Sequence, residues 1–484
     1  MKIIICYPPL NTEKGCPTLG QNRQFQYFKA PTYIYPVVPA EAATLLKSRG
    51  YDVIWLDCLA ENIPYDRFID IIRRENPGLI VFETKTPVVK QHWKIINEIK
   101  GLFPKGTVPR TVLFGDHVTA LPEESFLNSK VDFVLTGGDY DFLLLNLCNH
   151  IDKGERLESG IFYRENTQIM NTGKFQLSHD LNALPFIDRE LTKWKLYAFE
   201  NGNYKRTPGT YIMSGRDCWW GKCTFCSWPT LYPNFRVRNV INVLDEISQL
   251  VDKFKVREIM DDTGCFPAGE WLRNFCNGFI ARSLEQKIYL DCNMRFGALS
   301  IEDFKLMKKA NFRLLLFGLE SANQKTLEKI NKNLKVERII EDCRNATRAG
   351  LFPHITIMFG YPWESYEDAL KTLKLGTWLL KKGLAYTMQA TMVIPYPGSQ
   401  LFEECKRGGL LNTLDWDKFD MKHPVMKSNI PEERIMKLVQ GMYKVSFSPE
   451  FIFRKIFSLK DYDDLNYYLR AIKKVTGHLF DFRK

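Results

Sequence analysis

Twice along this chain, short apolar runs alternate with stretches of helical periodicity, and nothing else in the sequence constrains the fold as strongly. In residues 1–150 the runs are Lys2–Tyr7, Asp52–Leu56, Gly78–Phe82, Thr111–Phe114 and Asp132–Thr136. Helical patterns lie between them at Pro39–Arg49 (closed by Gly50), His92–Leu102 and Phe142–His150. Strands joined by helical crossovers make a parallel sheet covered on both faces. From about residue 208 the alternation returns with six runs: Thr210–Met213, Glu258–Met260, Lys287–Leu290, Arg313–Phe317, His354–Phe359 and Tyr386–Ile394. The expectation is an α/β chain in four parts. An N-terminal doubly wound Rossmann-like domain (1–150) and a linker with a hairpin at Gly160–Arg164 and Gln168–Asn171 (151–205) come first. A (β/α)6 partial TIM barrel (206–405) and a C-terminal helical region (406–484) follow.

Ligands of such folds gather at the carboxyl ends of the strands. In the first half that edge carries Pro8-Pro9, Glu83–Pro87, Gly115-Asp116-His117 and Gly137-Gly138. In the second half it carries Asp261-Asp262, Asn293-Met294-Arg295, Gly318-Leu319-Glu320-Ser321 and Gly360-Tyr361-Pro362-Trp363-Glu364. A polar residue there is also what a helix cap would be.

The 67 basic and 56 acidic residues are interspersed, so the net charge of +11 reads as a solvated surface rather than a nucleic-acid footprint. No apolar run approaches the roughly 20 residues that cross a bilayer. The segment Pro449–Arg470 mixes aromatic and aliphatic residues with Arg and Lys, a pattern suited to a helical cap over the barrel or to peripheral contact with a membrane surface. The N-terminus enters a strand at once and has no signal-peptide layout. Twelve cysteines, mostly in apolar segments, point to reduced thiols and a cytoplasmic location.

Three of those cysteines crowd one loop: Cys218-Trp-Trp-Gly-Lys-Cys223-Thr-Phe-Cys226. Thiolates are soft ligands that select iron–sulfur or zinc, and no nearby Cys or His offers a fourth position. Half a zinc site or three unrelated core thiols are the plainer alternatives. Independent core thiols rarely fall within nine positions of one another, so a 4Fe-4S cube with one open iron is the favoured reading. Trp219, Trp220 and Phe225 are expected to shield it.

With these cysteines after the first strand of a partial barrel, the chain resembles the radical S-adenosylmethionine (radical SAM) enzyme superfamily. The usual spacing there is CxxxCxxC, and the first gap here is one residue longer. The resemblance implies that the open iron is chelated by S-adenosylmethionine, and that one electron cleaves it to methionine and a 5′-deoxyadenosyl radical. It places Phe225, Asp261, Asp262, Arg295, Glu320, Ser321, Gly360 and Glu364 around that cofactor. The frequent Gly-Gly-Glu after the second strand is absent.

The first half is similar to the cobalamin-binding domain of one radical SAM subgroup. Pro-Pro after the first strand, Gly115-Asp116-His117-Val118-Thr119 with Leu121-Pro122-Glu123-Glu124, Gly137-Gly138 and the linker Leu181–Asp188 carry that likeness. It implies corrin contacts at Pro9, Gly115, His117, Thr119, Gly137 and Gly138. The Asp-x-His-x-x-Gly motif that gives cobalt a histidine is absent, and His117 serves equally well as a loop residue bonding its surroundings. Together the cofactors imply methylation of an unactivated carbon in a small-molecule, lipid or peptide substrate, with flavodoxin or ferredoxin as electron donor. The alternative is a cyclase or rearrangement enzyme of the anaerobic porphyrin-ring type. An RNA methylthiotransferase is disfavoured because Cys6, Cys16 and Cys58 lie on a cofactor-type sheet and the tail reads as helical rather than as an RNA-binding barrel, and a zinc-stabilised binding module because a fourth ligand would have to be distant.

Overall fold

The computed structural model describes residues 1–11, 13–18, 27–29, 31–104 and 108–481, with side chains to Ile472. The run Lys2–Tyr7 forms β1, buried over its last five residues. Beside it lie β2 (Asp52–Asp57), β3 (Leu79–Glu83), β4 (Arg110–Phe114) and β5 (Phe133–Leu135), all parallel, in the order β2-β1-β3-β4-β5. The order reverses between β1 and β3, the switch point at which doubly wound sheets open a ligand crevice. Here that point is occupied by protein: the Tyr7 hydroxyl donates to Glu83, and Lys85 Nζ lies 3.6 Å from Glu83 Oε1.

The elements follow the sequence pattern with three differences. The crossover from β2 to β3 is a helix, Tyr65–Glu75, that the sequence reading omits; Phe68, Ile69 and Ile72 form its buried face. The hairpin β6 (Ile161–Glu165) and β7 (Gln168–Asn171) belongs to the first sheet, extending it antiparallel from β5. Ile161 to Tyr163 pair with the open edge of β5, so the crossing segment begins only after the hairpin. In the second half, β10 (Tyr289–Met294) ends four residues beyond Leu290 because Asn293 and Met294 still pair with the next strand.

That second sheet contains β8 (Gly209–Ile212), β9 (Glu258–Asp261), β10, β11 (Phe312–Glu320), β12 (Phe352–Phe359) and β13 (Thr387–Met392). They run parallel in sequential order, which is an open half-barrel. Crossover helices start at clear stops, two of them with reciprocal capping boxes, Ser300 with Asp303 and Ser365 with Asp368. At the strand starts, buried Arg313 bridges Glu258, 2.6 Å away, and Asp291. The backbone N–H groups of Lys205 and Arg206 donate to Glu258 and tie the incoming chain to the same cluster.

The C-terminal region is helical as expected. Helix Glu432–Lys444 packs on the barrel through Ile435, Leu438, Val439, Met442 and Tyr443. A hairpin of helices Pro449–Phe457 and Tyr462–Asp481 follows, and the first of these buries none of its residues. Among the described residues no helix is long and apolar enough to cross a membrane.

Candidate functional site

The cysteine loop leaves β8 under tight control. Asp261, at the end of β9, accepts from the Ser214 N–H (3.1 Å), the Ser214 hydroxyl (2.5 Å) and the Thr263 N–H (3.0 Å). Gly215 and Arg216 then pair antiparallel with Arg236 and Val237. Both arginines of this ribbon reach into the N-terminal half. Arg216, 2% exposed, bonds Glu41 (2.6 Å), Asp141 (2.6 and 3.1 Å) and Asp139 (3.1 Å). Arg236 bonds Asp139, which also meets His179 Nδ1 at 3.2 Å. Burial would push Asp139 up, but His179, Arg216 and Arg236 outweigh it and hold the carboxyl well below its usual range. The cysteine loop is thereby clamped to the first sheet two residues before Cys218.

Beyond the clamp, Cys218, Cys223 and Cys226 all open on one cavity of about 710 Å³ inside the half-barrel. The loop is pinned to the far wall: Thr224 N–H donates to Ile330 O (3.1 Å), and Trp220 Nε1 to Asn331 O (2.9 Å). Burial pushes the Cys223 thiol up, and Lys332 and Arg295 pull against it. Among the described residues no three His, Cys, Asp or Glu side chains converge on a single ion. Three thiols spread round one cavity wall fit a cube, in which each thiolate takes a different iron.

Of the residues expected around S-adenosylmethionine, Phe225, Asp262, Arg295 and Glu320 line the cavity with the cysteines. Arg295 stacks 4.3 Å over Trp220 and donates through Nη2 to the Lys332 and Asn333 carbonyls. Glu320 owes its place to a register shift between β11 and β12 at Gly318 and Glu320, which leaves Glu320 at φ +64°. Such a bulge re-aims a side chain, and a non-glycine residue rarely adopts that φ. The reward is an ion pair with Lys332 at 2.8 Å, buried in the cavity wall. Along β11 the inward residues Leu314, Leu316, Gly318 and Glu320 run from apolar to charged.

The other four expected residues do not reach the cavity, and each has a local reason. Asp261 is spent on Ser214 and Thr263. Ser321 donates to Glu364 at 2.8 Å, a buried pair behind the wall in which burial pushes the Glu364 carboxyl up. Gly360 stands at φ +97° with Ile435 where a side chain would begin. Trp219 is 36% exposed and does not line the cavity, unlike Trp220 and Phe225. In their place the structure brings Cys265 and Lys332 to the cavity. Burial and the adjacent Cys218 push the Cys265 thiol far up. Its place just after β9 is the only signal the sequence held for it, while Lys332 follows the short helix Gln324–Lys329.

The six residues expected against a corrin are packed against protein. Pro9 is half-buried after β1. Gly115 stands at φ +128° with Thr84 O where a Cβ would be, and Thr119 Oγ1 donates to Gly115 O (2.7 Å) while accepting from the Gly137 N–H (3.1 Å). A Cβ on Gly137 would meet the Phe175 ring, and one on Gly138 would lie 1.8 Å from the Tyr232 ring. His117 is buried between Thr86 Oγ1 (3.2 Å) and Glu124 Oε2 (3.1 Å), with the Trp416 ring 5.1 Å away. None of the six lines the cavity.

Comparison with known proteins agrees with the geometry of the barrel half. The Radical SAM superfamily model matches residues 212–376. An uncharacterized methyltransferase of Pyrococcus horikoshii is 25% identical over 433 residues, 87% of this chain and 90% of that protein. The anaerobic magnesium-protoporphyrin IX monomethyl ester cyclase of Cereibacter sphaeroides is 24% identical over 79% of this chain and 62% of its own length. Among solved structures, the radical S-adenosylmethionine methyltransferase TsrM from Kitasatospora setae, with cobalamin and a 4Fe-4S cluster bound, covers 100% of both chains at a TM-score of 0.70 and 13% identity. That last likeness is one of fold. The chain carries a radical SAM domain over residues 212–376 and shares its α/β fold with a radical S-adenosylmethionine methyltransferase solved with cobalamin bound.

Proposed function

We propose that this radical SAM protein is an enzyme that methylates an unactivated carbon, with a 4Fe-4S cluster on Cys218, Cys223 and Cys226. One observation carries the reading: these three thiols, Asp262, Arg295 and Glu320 come from different strand ends and open on a single cavity. Held by Cys218, Cys223 and Cys226, a cluster with one open iron, once reduced by an external donor, would pass one electron to S-adenosylmethionine and so allow its carbon–sulfur bond to cleave to methionine and a 5′-deoxyadenosyl radical. The chain's own residues bind and shield. The Arg295 guanidinium is placed to take the methionyl carboxylate as a charge-assisted donor. Asp262 and Glu320 give the cationic amino group and the ribose hydroxyls their acceptors, with Lys332 holding Glu320 in position. Phe225 and Trp220 border the loop and keep water from the cluster side.

Cobalamin, as the methyl carrier, enters this reading from domain order and from the relatives. Tyr232, Phe175 and Thr84 stand against Gly138, Gly137 and Gly115 on the N-terminal half. A small-molecule or lipid substrate and a flavodoxin or ferredoxin as electron donor complete the reading. The second reading is a cyclase without methyl transfer, favoured by the likeness to the magnesium-protoporphyrin ester cyclases.

The test is anaerobic incubation of reconstituted protein with S-adenosylmethionine, reductant and cobalamin, followed by mass spectrometry. Formation of 5′-deoxyadenosine together with S-adenosylhomocysteine supports methyl transfer. With a candidate substrate present, 5′-deoxyadenosine alone favours the cyclase. Cys223→Ala is expected to abolish both products, and retained activity in that variant sinks the cluster assignment.

A further inference from the structure

The cavity has a second end. From the cysteine loop it runs down the barrel interior to the strand starts, where Leu314, His354 and Thr387 line it. Leu314 to Glu320 is six strand residues, about 20 Å at roughly 3.3 Å each. The far end is closed by the C-terminal hairpin, and its wall there includes Ile452, Ile456, Leu459, Leu465, Leu469 and Ile472. These same six side chains are exposed to solvent. Phe453, Phe457 and Tyr462 on the same hairpin face solvent and do not line the cavity, so the hairpin stands between the chamber and bulk water and is its portal.

The outer face of that portal is unusual for a protein surface. Among the described residues, ten of the seventeen exposed large hydrophobic side chains fall between Phe447 and Ile472, and three of the ten, Phe453, Phe457 and Tyr462, lie outside the cavity wall. Phe457 is 82% exposed, Tyr462 75% and Phe453 61%, and Phe453 stacks on Phe457 outside the cavity wall. Apolar clustering on this scale marks an interaction surface. The charges indicate which kind. All four acids of the segment are tied to the protein's own cations: Glu450 to Lys381 (3.6 Å), Asp461 to Arg206 (2.7 Å), Asp463 to Arg257 (2.5 Å) and Asp464 to Lys205 (2.7 Å). Arg454 and Lys460 are exposed and form no ion pair among the described residues. What the hairpin turns outward is therefore apolar and cationic, the pairing that suits a helix lying in an anionic lipid interface.

We infer that the hairpin docks on an anionic lipid bilayer, and that the substrate is a lipophilic molecule drawn from it, its apolar chain lying along the channel and its reacting carbon at the cysteine end. The assignment of substrate class rests on the cavity being the reaction chamber, while the docking itself stands on the surface alone. A bilayer fits better than a second copy of the chain, because a dimer seal would cover the hairpin whose side chains line the channel.

The test uses the full chain and sedimentation with two sets of vesicles, phosphatidylcholine alone and phosphatidylcholine with about one third phosphatidylglycerol. Wild-type protein is expected to pellet with the mixed vesicles. Phe453→Asp/Phe457→Asp, whose side chains face solvent, is expected to lose at least about tenfold in partition with an unchanged melting temperature. Arg454→Glu/Lys460→Glu is expected to lose preference for the anionic set. Absence of binding to either set, or equal binding by the phenylalanine variant, overturns the proposal. So does a wild-type dimer that the phenylalanine variant dissolves while neither protein binds vesicles. Because docking is read without turnover, a failed reaction assay leaves it standing, and failed docking leaves the radical chemistry standing.

Discussion

Replacing Arg216 by Met should separate two roles of the cysteine loop, holding iron and holding the two halves together. Arg216 makes four hydrogen bonds to three buried carboxylates. When it goes, Asp139 keeps Arg236 and His179, and Asp141 keeps the Phe142 N–H at 2.9 Å. Glu41 keeps no other ion pair among the described residues. Removing one partner from such a buried set leaves uncompensated charge and costs about 3–5 kcal/mol. At roughly 2–4 °C per kcal/mol for a unit of this size, the melting temperature falls by on the order of 10 °C. A second change, Glu41→Gln, should recover about 1–3 kcal/mol in the Arg216→Met background by removing the orphaned charge, yet cost stability in the wild type. The sign of the pH dependence is fixed as well. Orphaned carboxylates in the variant have folded-state pKa values raised above the unfolded ones. Their neutral form is therefore tolerated at low pH, and stability is lost as pH rises through the raised value. Thermal melts between pH 5 and 8 should show the variant losing ground to wild type as pH increases. Iron per chain after anaerobic reconstitution should drop although all three cysteines remain. A variant within 1 kcal/mol of wild type, with parallel pH profiles and full iron content, would refute the clamp.

Glu320→Gln removes the partner of Lys332 and should raise the KM for S-adenosylmethionine about tenfold, near 1.4 kcal/mol, with iron content retained; an unchanged KM removes Glu320 from the binding site. Gly138→Ala drives a methyl into the Tyr232 ring and should cost about 1–3 kcal/mol in urea unfolding. Gly101→Ala, in open space, is the matched control and should be neutral or slightly stabilising. Burial pushes His354 down to about 4 and His92 to about 3. Both titrate near 6.5 when unfolded, so their contribution is complete above that value and is lost as pH falls toward 4, on the order of 3 kcal/mol for His354. Melting curves from pH 7 to 4.5 should flatten in His354→Gln, and an identical slope would show that the ring is not held neutral.

Both sheets and the cysteine loop were legible because strand–helix alternation and close thiol spacing are local signals. What escaped depended on register and on distant partners. Asp261 and Asp262 are neighbours in sequence, yet the first is turned back onto Ser214 and the second into the cavity, as period-two alternation at a strand end requires. Glu320 reaches the cavity and Ser321 does not because of a bulge no pattern announces. The glycines after β4 and β5 looked like room for a ligand, but the Thr84 carbonyl stands against Gly115, and Phe175 and Tyr232 stand against Gly137 and Gly138. Lys332 was unreadable for the same reason, since its meaning comes from Glu320 across a loop.

The half-barrel is open along one side, with β8 and β13 as unjoined edges, and the chain's final helices close the chamber. This sets apart two portions of sequence by the demands made on them. The strand ends from Cys218 to Glu320 must keep their register, or the polar end of the chamber is lost. Residues 447–472 must remain helical and apolar and keep the acids that pair with Lys381, Arg206, Arg257 and Lys205. Chamber length and mouth can therefore drift through replacements in a single terminal segment, which would let relatives diverge in what they accept while their strand ends stay fixed.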